Sequence, residues 1–184
     1  MSERLFVAVV PPAQVREALD AFLEPRREAG RELRWVLPEA WHLTCAFMAR
    51  VPPLLIDSLD EALEQVAGRT APFAIELGGA GAFPDPDHAR ALWLGVGEGT
   101  AELKQLAVRC RNAAGGCGIV TDGGPFRAHL TVARAKGIPA TRWLQVLGTF
   151  GAQRWVVDRF ARIRSKALPG GSGYQLLGEY ELGG

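Results

Sequence analysis

One tripeptide occurs twice in this chain, as His42-Leu43-Thr44 and His129-Leu130-Thr131, 87 residues apart in 184. The spacing is close to half the chain, and each copy has an amphipathic helical pattern before it and another after it. That arrangement reads as an internal duplication and predicts two related halves. Upstream of the first copy, Arg4 to Val10 is a strand-like run stopped by Pro11-Pro12, and Gln14 to Glu28 carries Val15, Ala18, Leu19, Phe22 and Leu23 at helical steps. Downstream, Leu54 to Val66 presents Leu55, Ile56, Leu59, Leu63 and Val66 on one face, followed by strand-like Phe73 to Leu77 and Arg90 to Val96. The Gly-, Pro- and Asp-rich stretch Gly78 to His88 between these two strands reads as a loop.

The second half repeats the order. Thr100 is placed to cap a helix running to about Ala113, with Gly115-Gly116 as its stop. A Gly-rich loop to Gly124, an extended segment at His129 and a short helix after Pro139 follow. Strands are expected near Arg154 to Val157, Phe160 to Ala167 and Tyr174 to Glu181, the last two joined by a hairpin at Pro169-Gly170-Gly171-Ser172-Gly173. Helices alternating with hairpin-joined strands predict an α+β fold with a largely antiparallel sheet.

In an extended strand residues i and i+2 share a face, so His42 projects with Thr44, and His129 with Thr131. Leu43, Cys45 and Phe47 then form an apolar face toward the helices, leaving His42, Thr44 and Ala46 on the other. If a pseudo-two-fold relates the halves, two imidazoles and two hydroxyls meet across one groove. Imidazoles with pKa near ~6.5 can serve as acid and base in one reaction at neutral pH, which suits phosphodiester chemistry. The hydroxyls can hold phosphate oxygens.

Composition narrows the choice. At 48% hydrophobic and 22% charged, with net charge +1, the chain is ordinary globular protein, neither disordered nor a broad basic field for coating nucleic acid. Apolar runs such as Phe6 to Val10 are far below the ~20 residues of a bilayer span. The N-terminus lacks the apolar core and cleavage site of a secretory signal. Cys45, Cys110 and Cys117 cannot all pair with one another, so a cytoplasmic protein with free thiols is expected. Cys110-x6-Cys117 lacks zinc-finger spacing, Gly115 to Gly124 lacks the Lys-Ser/Thr of a P-loop, and His88 beside Asp85 and Asp87 reads as a solvated turn. No metal or cofactor is expected. Arg162, Arg164 and Lys166 alternate on one strand face, either as a basic wall for an RNA backbone or as a solvated outer face. Trp41, Phe126 and Trp155 are candidates to stack a base, with core the better reading for Trp155.

At this level of detail the chain resembles the 2H phosphoesterases, in particular the RNA 2',3'-cyclic phosphodiesterases also called 2'-5' RNA ligases. The resemblance rests on Arg4-Leu5-Phe6-Val7-Ala8-Val9, Trp41-His42-Leu43-Thr44 with Phe47, Leu92-Trp93-Leu94-Gly95-Val96 and Phe126-Arg127-Ala128-His129-Leu130-Thr131-Val132-Ala133-Arg134. Trp155 to Phe160 and Pro169 to Tyr174 extend it over nearly the whole chain. It implies one bilobal domain over residues 1–184, with antiparallel sheets around a central cleft and helices packed outside. It also implies metal-independent hydrolysis of RNA 2',3'-cyclic phosphate ends to 2'-phosphates, with 2'-5' ligation as the reverse sense.

Carried over, His42 is the acid for the departing 3' oxygen and His129 the base that activates water. Thr44 and Thr131 bind the phosphate, and Arg134 neutralises its charge. A different cyclic or nucleotide-like phosphodiester, or RNA binding with little catalysis, are the other readings. A monomer is expected, because both histidines come from one polypeptide. The chain departs from the pattern at Ala128, where proline is usual, at Cys45, and at Met48-Ala49-Arg50, which predicts a more basic cleft rim near Arg50. Strict alternation from His129 places Arg134 on the face away from His129, so it reaches the cleft only if the strand bulges or ends around Ala133.

Overall fold

The structure is a computed structural model that describes residues 2–168 and 171–184. Among these residues the elements are β1 (Glu3–Val9), α1 (Ala13–Arg27), β2 (Arg34–Trp35), β3 (Leu43–Val51), α2 (Ile56–Gly68), β4 (Phe73–Phe83) and β5 (Ala89–Val96). They continue as α3 (Thr100–Gly116), β6 (His129–Ile138), α4 (Thr141–Leu147), β7 (Gln153–Val157), β8 (Arg159–Leu168) and β9 (Gly171–Glu181). Strands β8 and β9 form the expected hairpin, with Leu168 opposite Gly171, while Pro169 and Gly170 of its turn lie outside the described residues.

The strands form one curled antiparallel sheet in the order β7-β4-β5-β6-β3-β1-β8-β9, with β2 paired to β6. Its two halves are related as the duplication requires. On one side β3, β1, β8 and β9 form a lobe, on the other β6, β5, β4 and β7. The seam is thin, because β3 and β6 pair only at Leu43 opposite Leu130. Each copy of the tripeptide therefore starts a strand at the middle of the sheet.

The helices cover the outer face, and each buries the stripe its sequence presents. Val15, Leu19 and Leu23 of α1, Leu59 and Leu63 of α2, and Leu103, Leu106 and Cys110 of α3 are all buried. Helices α2 and α3 pack on each other, α3 on β3 and α2 on β9. On the other lobe α4 packs on β4, and Phe22 of α1 meets Phe150 just beyond α4, with ring centroids 5.0 Å apart. No helix of the described residues is long and apolar enough to cross a membrane.

Three local expectations are corrected. Thr100 is the first residue of α3, not its cap. Gly99 stands before it at φ 81°, where a Cβ would lie 2.3 Å from the Ala74 carbonyl oxygen, and the Thr100 hydroxyl donates back to the Val96 and Gly97 carbonyls. Helix α3 runs past Ala113 to Gly116, with Cys117 as its C-cap, and the left-handed residue that ends it is Gly118 at φ 78°. The supposed loop from Gly78 is mostly strand. β4 continues to Phe83 through an irregularity between Leu77 and Ala80, and Gly81 lies under the Trp93 indole, where a Cβ would be 2.2 Å from the ring.

Neither Arg162 nor Arg164 lines the cleft, so they form no wall facing it. Arg162 is 6% exposed and reaches Asp60 of α2 through Nε to Oδ1 and Nη2 to Oδ2, both at 2.8 Å. The Tyr180 hydroxyl donates to the same carboxylate. Arg164 pairs with Glu3, Nε to Oε2 at 2.7 Å, which leaves Lys166 as the exposed cation of the three.

Candidate active site

Two bulges determine which side chains meet. Along β3, Val7 faces Ala46 while Ala8 faces Thr44, so Cys45 is the extra residue and the alternation resets after it. Cys45 and Ala46 are consecutively buried on the helix side, and Phe47 turns to the cleft. The expected apolar face of Leu43, Cys45 and Phe47 is thereby corrected. Along β6 the same irregularity occurs, with Trp93 facing Thr131 and the adjacent Leu92 facing Ala133, so Val132 is extra. Val132 and Ala133 are both buried, and Arg134 returns to the face of His129 and Thr131. The condition for Arg134 to reach the cleft is met.

All five candidate residues, His42, Thr44, His129, Thr131 and Arg134, line one cleft of about 850 Å³. Arg4, Arg34, Glu39 and Tyr174 share its walls. The expected basic rim near Arg50 is corrected: Arg50 is exposed and does not line the cleft, whose cations besides Arg134 are Arg4 and Arg34. The Arg4 guanidinium lies 5.1 Å from the centre of the Phe47 ring. Arg34 sits opposite Arg134 in the β2–β6 pairing. Neither was singled out from sequence as a cleft residue, because Arg34 is carried in by a two-residue strand with no periodic signal.

The imidazoles are held alike. His42 Nδ1 is 2.7 Å from the Ala40 carbonyl oxygen, and His129 Nδ1 is 2.7 Å from that of Arg127, in each case two residues upstream. A carbonyl oxygen only accepts, so Nδ1 carries the proton in both rings, and neutral Nε2 is left for the cleft. Aromatic rings fix the imidazole planes. His42 packs on Phe6 at 4.6 Å and edge-on to Tyr174 at 5.4 Å, between centroids. His129 packs edge-on to Phe83 at 4.9 Å and against Trp93 at 6.0 Å. By register the counterpart of Trp93, opposite Thr131, is Ala8, opposite Thr44, so the two lobes brace their imidazoles with rings from different positions.

The same packing lowers both basicities. Burial holds His42 down, to about 4 from 6.5, opposed by its bond to Ala40 and reinforced by the charges of His129 and Arg134. His129 is lowered by burial, opposed by its bond to the Arg127 carbonyl and reinforced by Arg134 and Arg127. Other candidates belong elsewhere. Trp41 is 1% exposed in the core and offers no base a face. Trp155 packs partly against the core, and His88 is an exposed turn residue bonded to Asp85, whereas Phe126, also partly packed on the core, lines a smaller cavity beside His129. Cys45 and Cys110 are buried, the first pushed up to about 12, which keeps them as unreactive thiols.

A sequence profile of the 2'-5' RNA ligase superfamily matches residues 11–167. The chain belongs to this superfamily. Like the chain, the RNA 2',3'-cyclic phosphodiesterase of Thermus thermophilus is a relative at 32% identity over 188 residues, which covers 98% of this chain and 91% of that one. The RNA 2',3'-cyclic phosphodiesterase of Geobacillus stearothermophilus is 34% identical over 129 residues, covering 70% of this chain and 41% of the relative's length. In structure the chain is similar to Escherichia coli LigT complexed with 3'-AMP, at a TM-score of 0.75 and 27% identity over 99% of both chains. Membership of the 2'-5' RNA ligase superfamily accounts for the duplicated lobes and the cleft between them.

Proposed function

We propose that the protein hydrolyses RNA 2',3'-cyclic phosphate ends to 2'-phosphates, with residues 1–184 acting as one bilobal, monomeric cytoplasmic unit. The observation that carries this reading is the matched pair of imidazoles, each with Nδ1 tied to its own chain and Nε2 left for one cleft. Phosphate binding alone needs no such pair. His129 Nε2 takes a proton from water as the water oxygen attacks phosphorus. The P–O3' bond breaks, and protonated His42 delivers a proton to the leaving oxygen. Thr44 and Thr131 donate to the non-bridging oxygens, and Arg134 balances the charge that grows on them. Both proton transfers are supplied by imidazole, so the reading calls for no metal or cofactor. The three free cysteines are in keeping with a reducing compartment.

The test is conversion of a short RNA with a 2',3'-cyclic phosphate end, in chelator, with the position of the product phosphate determined. A 2'-phosphate is expected. A 3'-phosphate or no conversion by folded protein overturns the assignment.

The pH dependence follows from the low basicities. Catalysis needs one proton on the pair, and both pKa values lie below 6.5, so this form of the free enzyme is lost as pH rises toward neutrality. The kcat/KM profile is expected to peak on the acid side of pH 6.5. An anionic phosphodiester favours imidazolium, so the kcat profile should lie at higher pH. A kcat/KM still rising above about pH 7.5 contradicts this.

Arg134→Gln removes a cation that lowers both imidazoles, so the acid limb should move to higher pH. The maximum kcat/KM should also fall about 10²-fold with the loss of charge stabilisation. An unshifted profile would mean that Arg134 does not face both rings in solution.

A further inference from the structure

Strand β2 is two residues long, too short to hold its place by pairing alone, yet it is anchored from several sides. Its Trp35 donates through Nε1 to the Gly30 carbonyl at 3.2 Å and meets Trp143 of α4 edge-on, with ring centroids 5.6 Å apart. Both indoles close on Gly30, where a Cβ would lie 2.8 Å from Trp35 and 2.9 Å from Trp143. Trp143 Nε1 in turn donates to Glu32 at 2.9 Å, and the Val36 N–H to the Val132 carbonyl at 2.9 Å. What this clamp delivers to the cleft is Arg34.

Arg34 stands directly opposite Arg134. Residues opposite one another on antiparallel strands have Cβ atoms about 5 Å apart, and like charges there repel. Both side chains are exposed and both line the cleft. Among the described residues neither guanidinium has a carboxylate within ion-pair distance. A clamp that holds two unpaired guanidiniums side by side makes a place for phosphate charge. In the mechanism above Arg134 takes the reacting phosphate, and Arg34 is left for another.

Direction along the cleft identifies that second phosphate. Leu43 faces Leu130 in an antiparallel pair, so His42 falls beside Thr131, and β6 runs on from there to the two arginines. They therefore lie on the His42 side of the seam. His42 protonates the departing 3' oxygen, which puts the ribose of the cyclic end on that side too, with its 5' carbon leading away from phosphorus. Val36, Leu37 and Ala40 wall the cleft between His42 and Arg34, and Leu37 is 57% exposed, an apolar surface for the nucleoside between two phosphates.

We propose that Arg34 makes the enzyme select RNA ends over nucleosides that carry a cyclic phosphate alone, by binding the phosphate esterified to the 5' oxygen of the terminal nucleoside. The inference rests on the two-histidine reading and adds a second phosphate subsite to it. This contact is remote from the bonds that change, so it is made equally in the ground and transition states and acts on KM.

The test uses adenosine 2',3'-cyclic phosphate with a free 5'-hydroxyl, the same molecule with a 5'-phosphate, and the ApA dinucleotide ending in the cyclic phosphate. Each of the last two competes with the first in one reaction, so the ratio of kcat/KM values does not depend on how much of a variant is folded. Both ratios are expected to be about tenfold in wild type, the size of one charge-assisted contact. Separate rate curves should place the difference in KM. Arg34→Gln should bring both ratios toward one, and Arg34→Lys, which keeps the charge but loses the planar fork, should retain part of them. Ratios near one in wild type, or ratios that survive Arg34→Gln, overturn the subsite. A gain for the dinucleotide without one for the 5'-phosphate assigns the preference to the added nucleoside and overturns it too. So does an equal loss in Arg4→Gln, because Arg4 lies over Phe47 toward the other end of the cleft and acts there only through a general field. Wild type that leaves all three molecules intact overturns the hydrolytic reading itself.

Discussion

His42→Ala and His129→Ala should each lower kcat on a 2',3'-cyclic phosphate end by about 10²–10⁴-fold, the range a single positioned acid or base contributes. KM should move little, because Thr44, Thr131 and Arg134 still line the cleft that receives the phosphate. The two losses should not multiply in the double variant, since each proton transfer loses its value when the other is missing. Folding is not expected to be the cause. Each imidazole bonds a carbonyl of its own chain two residues away, and the cleft is open enough for water to replace that bond. Both rings also resist protonation, so their removal relieves the fold of a cost at acid pH. Below 6.5 the unfolded chain binds a proton that native His42 refuses until about 4, and stability falls over that window in wild type. Circular dichroism alongside single-turnover rates would separate the effects. A variant that keeps wild-type kcat would remove that histidine from the chemistry.

The largest loss of stability is expected from Asp60→Ala. Its carboxylate receives both nitrogens of Arg162 and the hydroxyl of Tyr180, and it is the tie between α2 and the β8–β9 hairpin. Removing one partner of a buried pair costs about 3–5 kcal/mol, because the other charge stays buried without compensation. Arg162 has 7% of its side chain exposed and Asp60 33%, so the lower end, about 3 kcal/mol, is the expected value. That corresponds to a fall in Tm of roughly 6–12 °C for a chain of this size. Glu3→Ala, opposite Arg164, should cost less, since Arg164 is 29% exposed and can turn to solvent. Equal losses from the two variants in denaturant titrations would show that burial does not govern these pairs.

Much of the site could be read from the sequence because the duplication marks it. His42 and His129 stand at equivalent strand starts, and period two carries Thr44 and Thr131 along. Period two then fails at the bulges, which depend on the neighbouring strand and not on the bulged strand alone. Still, a signal was present. Each tripeptide is followed by an aliphatic or thiol residue and then alanine, Cys45-Ala46 and Val132-Ala133, and those neighbours are buried together. Two consecutive small buried residues after a polar-facing threonine betray the extra residue. Arg162 misled for the opposite reason. Its alternation with Arg164 was visible, but which face of β8 meets a helix depends on Asp60, more than a hundred residues earlier. The strand character of Gly78 to Gly81 was hidden too, since a glycine that accepts an indole on its face looks, in sequence, like a turn.

The thin seam and the exchanged helices make the two halves of the chain mutually dependent. β1 and β3 carry the first histidine, yet the strand that flanks them, β8, pairs Leu5 with Arg164, and the helix that covers β3 is α3 of the other repeat. The second histidine's lobe in turn borrows β4 from the first repeat. A repeat released alone would expose an unpaired strand edge and an uncovered apolar face, so it could persist only by trading elements with a second copy. The cost to the chain is late, long-range closure during folding: His129 is braced by neighbours close in sequence, whereas His42 is fully packed only once Phe6 and Tyr174, from opposite ends of the chain, have met.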